Sequence, residues 1–144
     1  MNNFIPDSHR LLQDELVDYF KKEAFIVLGV RDSHTFPPSP SLHNDGYGDQ
    51  ENKHPDIFAF DPESGCHVVG IVRKTRQELE SEGSLTEYNV FLDQKDDQNN
   101  KPYRLYVILP DTLADEFTAF IQHYIHREYW YRIIVVRSRH NELS

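Results

Sequence analysis

Residues 56–73 hold the feature that most restricts the fold: two strand-length runs separated by a four-residue turn. Asp56-Ile57-Phe58-Ala59-Phe60-Asp61 is rich in apolar and aromatic residues, Pro62-Glu63-Ser64-Gly65 has turn chemistry, and Cys66 to Arg73 returns. The turn length pairs Asp61 with Cys66 and, counting outward, Asp56 with Ile71. A hairpin is antiparallel, so any sheet built around it is antiparallel at this point.

The flanking segments extend this core on both sides. Ser8 is a plausible cap for a helix over roughly residues 9–23, with Leu11, Leu12, Leu16, Tyr19 and Phe20 on one arc. Ala24 to Val30 is apolar throughout, which predicts a strand buried on both faces. After the hairpin, residues 75–83 are charged with some helical character, interrupted by Gly83. Ser84-Leu85-Thr86-Glu87 has capping-box spacing, and Leu85, Tyr88 and Leu92 continue one helical face. Tyr103 to Leu109 reads as a strand stopped by Pro110. Asp111 or Thr112 then caps a helix whose Leu113, Phe117, Phe120, Ile121, Tyr124 and Ile125 form one stripe. Tyr131 to Val136 is a last strand. Helices between the later strands favour parallel pairing there. The expected fold is therefore a single α/β domain over residues 1–144, in the order α-β-β-β-α-β-α-β, with a mixed central sheet flanked by helices. A polar loop at about 31–55 and a polar tail from about 138 complete it.

Composition narrows the class. With 144 residues, 38% of them apolar, the chain can bury a real core. No apolar run of about 18 residues is present, so no membrane partner is expected. Cys66 is the only cysteine, which excludes an internal disulfide and a cysteine-built zinc site and makes the reducing cytoplasm the expected compartment. The formal charge of −9 argues against a generally basic face for phosphates. Contact with nucleic acid then needs a local basic patch, either Arg73, Lys74 and Arg76 or Arg132, Arg137 and Arg139. A protein partner or a homodimer suits an acidic domain equally well.

The order of elements, and the Pro55-Asp56 pair opening the second strand, resemble the restriction-endonuclease-like, or PD-(D/E)xK, superfamily. The likeness covers roughly residues 8–110 and implies an α-β-β-β-α-β core that cleaves nucleic-acid phosphodiesters with Mg²⁺ or Mn²⁺. Such chemistry needs carboxylates to hold the cation and lower the pKa of an attacking water, and a Lys to orient that water. By the resemblance, Asp56 is the first metal-binding acid, and Arg73 or Lys74 stands in the Lys position. Two residues earlier the family carries an acid, but this chain has Ile71 or Val72. The site is thus degenerate as the motif stands. Glu78 and Glu87 are acids able to replace the missing one, as is Glu15. With Leu11 at 0° on a helical wheel, Glu15 falls at about 40°, between Leu11 and Phe20 at about 180°. A glutamate inside the apolar arc must find a partner or a wet cleft. The expected catalytic set is Asp56, Glu15, Arg73 and Lys74, with Asp56 and Glu15 on the metal. The alternative is a non-catalytic descendant of the fold acting as a protein-interaction or nucleic-acid-binding subunit.

Other residues offer less. His123 and His126 have a metal-compatible spacing but no evident third ligand, and His34, His43 and His54 lie in or beside the long loop. Cys66 and His67 are adjacent on a strand and face opposite ways, so they form no nucleophile–base pair. Tyr129-Trp130-Tyr131 beside Arg127 and Arg132 can stack on bases, but reads more simply as aromatics at a strand edge.

Overall fold

A computed structural model of the chain describes residues 8–42 and 53–140. The polar loop is thus described at both ends, while residues 43–52 and the last four of the tail lie outside the described residues. Five strands form one sheet in sequence order: β1 (Ile26–Val30), β2 (Ile57–Asp61), β3 (Cys66–Val72), β4 (Arg104–Pro110) and β5 (Ile133–Ser138). β1–β2 and β2–β3 are antiparallel, whereas β3–β4 and β4–β5 are parallel. The hairpin register is the expected one, with Asp61 opposite Cys66 and Ile57 opposite Gly70.

The sheet separates two cores, and strand alternation assigns residues to each. Helix α1 (Ser8–Lys22) lays Leu12, Leu16, Val17 and Phe20 on Val68, Val72, Tyr106 and Ile108. On the other face α2 (Arg76–Glu80), α3 (Glu82–Leu92) and α4 (Ala114–Tyr124) bury Leu79, Tyr88, Phe91 and Phe117 against Val69, Ile71, Leu105 and Val107. Among the described residues no helix is long and apolar enough to cross a membrane.

Several elements differ from the sequence reading. The single helix expected after the hairpin is two helices, because Ser81 ends α2 and also caps α3, its hydroxyl accepting the Ser84 N–H. Gly83 therefore sits in the first turn of α3 and interrupts nothing. Residues 111–113 make a 3-10 turn before α4. Tyr129, Trp130 and Tyr131 lie in a second 3-10 turn, residues 127–132, ahead of β5 and not at its edge. β1 is not buried on both faces: Ile26 and Leu28 are 52% and 41% exposed, because β1 is an edge strand. Its run is shortened by Ala24, which takes a positive φ of 62° as the chain leaves α1.

Gly70 is the close-packing point of α1 on the sheet. A Cβ built there would lie 2.8 Å from Leu16 Cδ2 and 3.0 Å from Phe20 Cζ, and both side chains are fully buried. Neither can retreat without displacing its own neighbours. Gly70→Ala is expected to cost about 1–3 kcal/mol through overpacking. Urea unfolding would register this as a lower midpoint with an unchanged slope.

Candidate functional site

Asp56 sits just before β2 and is 4% exposed. Its Oδ1 is 2.9 Å from Nε2 of His9 on α1, and its Oδ2 accepts the Val72 N–H at 2.9 Å from the end of β3. The Asp56 carbonyl accepts the Arg31 N–H at 2.8 Å, and the Pro55 carbonyl accepts the Ser39 hydroxyl at 2.6 Å. Gln13 completes the junction by donating to the Arg31 carbonyl at 2.9 Å. One buried carboxylate thus ties α1, β2 and β3 at a single point, beside the end of β1.

Arg73 continues β3 and is 7% exposed. Its side chain turns toward α3, where Nε donates to Tyr88 Oη at 3.1 Å and Nη2 to Glu87 at 2.8 Å. Nη1 returns to the Val72 carbonyl at 3.0 Å, and the guanidinium lies 5.2 Å from the Tyr88 ring centre. Burial disfavours the charge, but Tyr88, Glu87 and Asp56 outweigh it and hold Arg73 above its ordinary value. Burial also pushes the Tyr88 phenol up, against the pull of Arg73, and its hydroxyl donates to the Leu79 carbonyl at 2.9 Å. Asp56 and Arg73 are therefore brought within electrostatic reach of each other, and both are bound into the packing.

Lys74 points elsewhere. Its Nζ is 3.8 Å from Glu78, whose other oxygen accepts the Lys74 N–H at 2.7 Å. The Glu78 N–H in turn bonds the Thr75 hydroxyl at 3.1 Å, so Glu78 and Thr75 close the start of α2. Glu15 has found the partner its place in the apolar arc demanded. It accepts the Ser138 hydroxyl at 2.7 Å and the Arg139 N–H at 2.8 Å, with His140 at 3.7 Å. These contacts pin the end of β5 to α1.

Asp56 and Glu15 thus anchor at β3 and β5, two strands apart, which is about 10 Å at the usual sheet spacing. One Mg²⁺ held at about 2 Å from each ligand spans oxygens only about 4 Å apart. In this arrangement the two carboxylates do not fit a shared divalent cation. Among the described residues no group of three or more His, Cys, Asp or Glu has metal-holding geometry. His123 and His126 are exposed on α4 and just beyond it.

Arg76, Arg132 and Arg137 of the candidate basic patches are also engaged within the fold. Arg76 meets Glu80 and Glu116, at 3.2 and 3.3 Å. Arg132 is buried and donates to the Leu92 and Tyr103 carbonyls at 2.9 and 2.8 Å, beneath Tyr129 and Tyr131. Arg137 pairs with Asp111 at 2.6 Å.

A second buried cluster was not visible in the sequence. Asp61, 7% exposed at the end of β2, accepts the Glu63 N–H at 2.9 Å, the Ser64 hydroxyl at 2.8 Å and the Arg104 guanidinium. Arg104 Nε also donates to Cys66 Sγ at 3.2 Å. The hairpin turn is thereby clamped to β4. His67 faces the opposite way, stacked 5.0 Å from Phe58, as strand alternation requires. Nothing local named Arg104, 43 residues on, as the partner of Asp61.

Against protein-family models, curated proteins and solved structures, this chain finds no match.

The Asp56 junction predicts a stability role. Asp56→Ala orphans the Val72 N–H and leaves buried Arg73 without that negative charge, so a loss of about 3–5 kcal/mol is expected. Asp56→Asn retains an acceptor and should lose less; chemical unfolding of both variants would rank them. Asp61 predicts a pH response. Burial alone would raise its carboxyl, but hydrogen bonds from Ser64, Arg104 and Glu63 hold it below the ordinary carboxylate value. A depressed folded value means stability that is present above about pH 4 and lost as the pH falls through the folded value. Unfolding midpoints from pH 7 to 2.5 should therefore fall less in Asp61→Asn than in the native chain.

Proposed function

We propose that this chain is a restriction-endonuclease-like domain that no longer hydrolyses phosphodiesters and acts as a protein-interaction subunit. The observation that carries this reading is the internal engagement of Asp56 and Arg73 at the would-be site. Both oxygens of Asp56 and all three guanidinium nitrogens of Arg73 are bonded within the fold. Ile71 and Val72, where the second acid would stand, are 1% and 2% exposed and belong to opposite cores. A carboxylate at either position would be buried in hydrocarbon.

The superfamily likeness is supported by α1, the three strands β1–β3, a helical segment and β4, with an acid at the start of the second strand. Interaction with protein in preference to nucleic acid is supported by charge. The chain carries −9 overall, and Arg73, Arg76, Arg132 and Arg137 are engaged with acidic side chains or carbonyls. A phosphate backbone would have to displace those partners.

Calorimetric titration with Mn²⁺ and Mg²⁺, followed by incubation with plasmid DNA and single-stranded RNA, tests the proposal. The expected result is no saturable metal binding, intact nucleic acid, and an Asp56→Ala variant altered in stability alone. Saturable binding lost in Asp56→Ala, or cleavage lost in it, would restore the hydrolytic reading.

A further inference from the structure

A guanidinium drawn into a protein is ordinarily met by a carboxylate. Arg73 and Arg104 follow this, with Glu87 and Asp61. Arg132 is 5% exposed, yet among the described residues it forms no ion pair. Its two hydrogen bonds, to the Leu92 and Tyr103 carbonyls, both come from Nη1. They serve the C-terminal end of α3, where helix carbonyls lack partners, and the approach to β4. Nε and Nη2 make no hydrogen bond among the described residues. That Nε–Nη2 edge is one side of the guanidinium fork, spaced to hold a carboxylate through two parallel bonds.

Arg132 lines a cavity of about 370 Å³ at the end of the sheet where β4 and β5 begin. Small-molecule sites occupy roughly 300–1,000 Å³. The 94–103 turn forms one wall: the Tyr103 N–H bonds the Gln94 carbonyl at 3.0 Å, and Lys95 is bridged to Pro102 beside it. Tyr129 spans the cavity between unlike charges. Its ring centre lies 5.0 Å from the Arg132 guanidinium, and its hydroxyl donates to Asp93 Oδ1 at 3.4 Å. Asp93 and Arg132 thus stand at the two ends of one phenol without pairing with each other. Asp93 also ends α3, where the helix dipole is negative and favours a cation.

We infer that this cavity binds a free α-amino acid. The ligand's carboxylate takes the Nε–Nη2 edge of Arg132, its ammonium meets Asp93, and its side chain lies along Pro102 and the Tyr129 ring. A simple anion would satisfy Arg132 but would face Asp93 and the negative end of α3. A zwitterion meets both signs on the wall at once. Because Arg132 is almost closed to solvent, its free edge is reached through the cavity, by a small molecule and not by a polymer. The inference is independent of how the Asp56 cluster is read. Asp56 sits where β3 ends, and the cavity where the parallel strand β4 begins.

Calorimetry and amide NMR of the full chain with L-leucine, L-serine and L-phenylalanine provide the test, each taken to about 10 mM, where a dissociation constant of roughly 1 mM still saturates. At least one is expected to bind saturably and to shift the amides of residues 93–95 and 129–132. The carboxamide and the deaminated acid of that amino acid should each bind roughly tenfold more weakly, having lost one charge-assisted contact. Asp93→Asn, at an exposed position, should weaken the amino acid to the same degree and leave the deaminated acid unchanged. Arg132→Lys should abolish binding, and the analogue series decides the matter if that variant does not fold. No saturable binding by any of the three overturns the proposal. So does binding that is indifferent to Asp93→Asn, is matched by the deaminated acid, or shifts only amides elsewhere.

Discussion

A carboxylate taken out of water is stable only where its charge and lone pairs are met, and the architecture of this chain is arranged around one such group. Asp56 receives His9 from α1 and the Val72 N–H from β3, while its own backbone holds Arg31 at the end of β1. Those contacts join segments up to 47 residues apart. Remove the acid and the positions of α1 and of the β3 end lose their shared reference. Gly70 then lets α1 lie close enough for Leu16 and Phe20 to fill the space above β3.

The same physics separates a stabilising cluster from a hydrolytic one. A catalytic carboxylate needs lone pairs left for metal or water, and a catalytic cation needs donors left for phosphate. Here both oxygens of Asp56 are already engaged inside the molecule. Arg73 shares its donors among Tyr88, Glu87 and a carbonyl, and Glu15 gives its oxygens to Ser138 and Arg139. Buried polar networks of this kind are costly when half-satisfied and rigid when complete. The Asp61–Arg104 clamp repeats the pattern at the opposite end of the hairpin.

Local sequence was enough for the parts whose physics is local. The turn Pro62-Glu63-Ser64-Gly65 set the hairpin register, because loop length alone determines which residues face each other. Helical periodicity marked α1 and α4, and it placed Glu15 where a partner was required. It did not say that the partner would be Ser138, 123 residues away. Capping at Ser81 escaped the reading because Ser84 and Glu87 offered the same spacing three residues later; in the fold the Ser84 hydroxyl bonds Ser81 and the Glu78 carbonyl, and Glu87 bonds Arg73.

The order of residues alone specified the class of fold: a mixed sheet, antiparallel at the hairpin and parallel beyond it, flanked by helices. It did so because turn chemistry and periodicity act within a few residues. Long-range packing settled that the Ala24–Val30 run would form an edge strand, since an apolar run looks alike at the centre and at the rim of a sheet. It also decided which charges met. Ion pairs and hydrogen bonds are made across space, so a motif can name Asp56, Glu15, Arg73 and Lys74 without revealing that the fold gives each of them a separate partner.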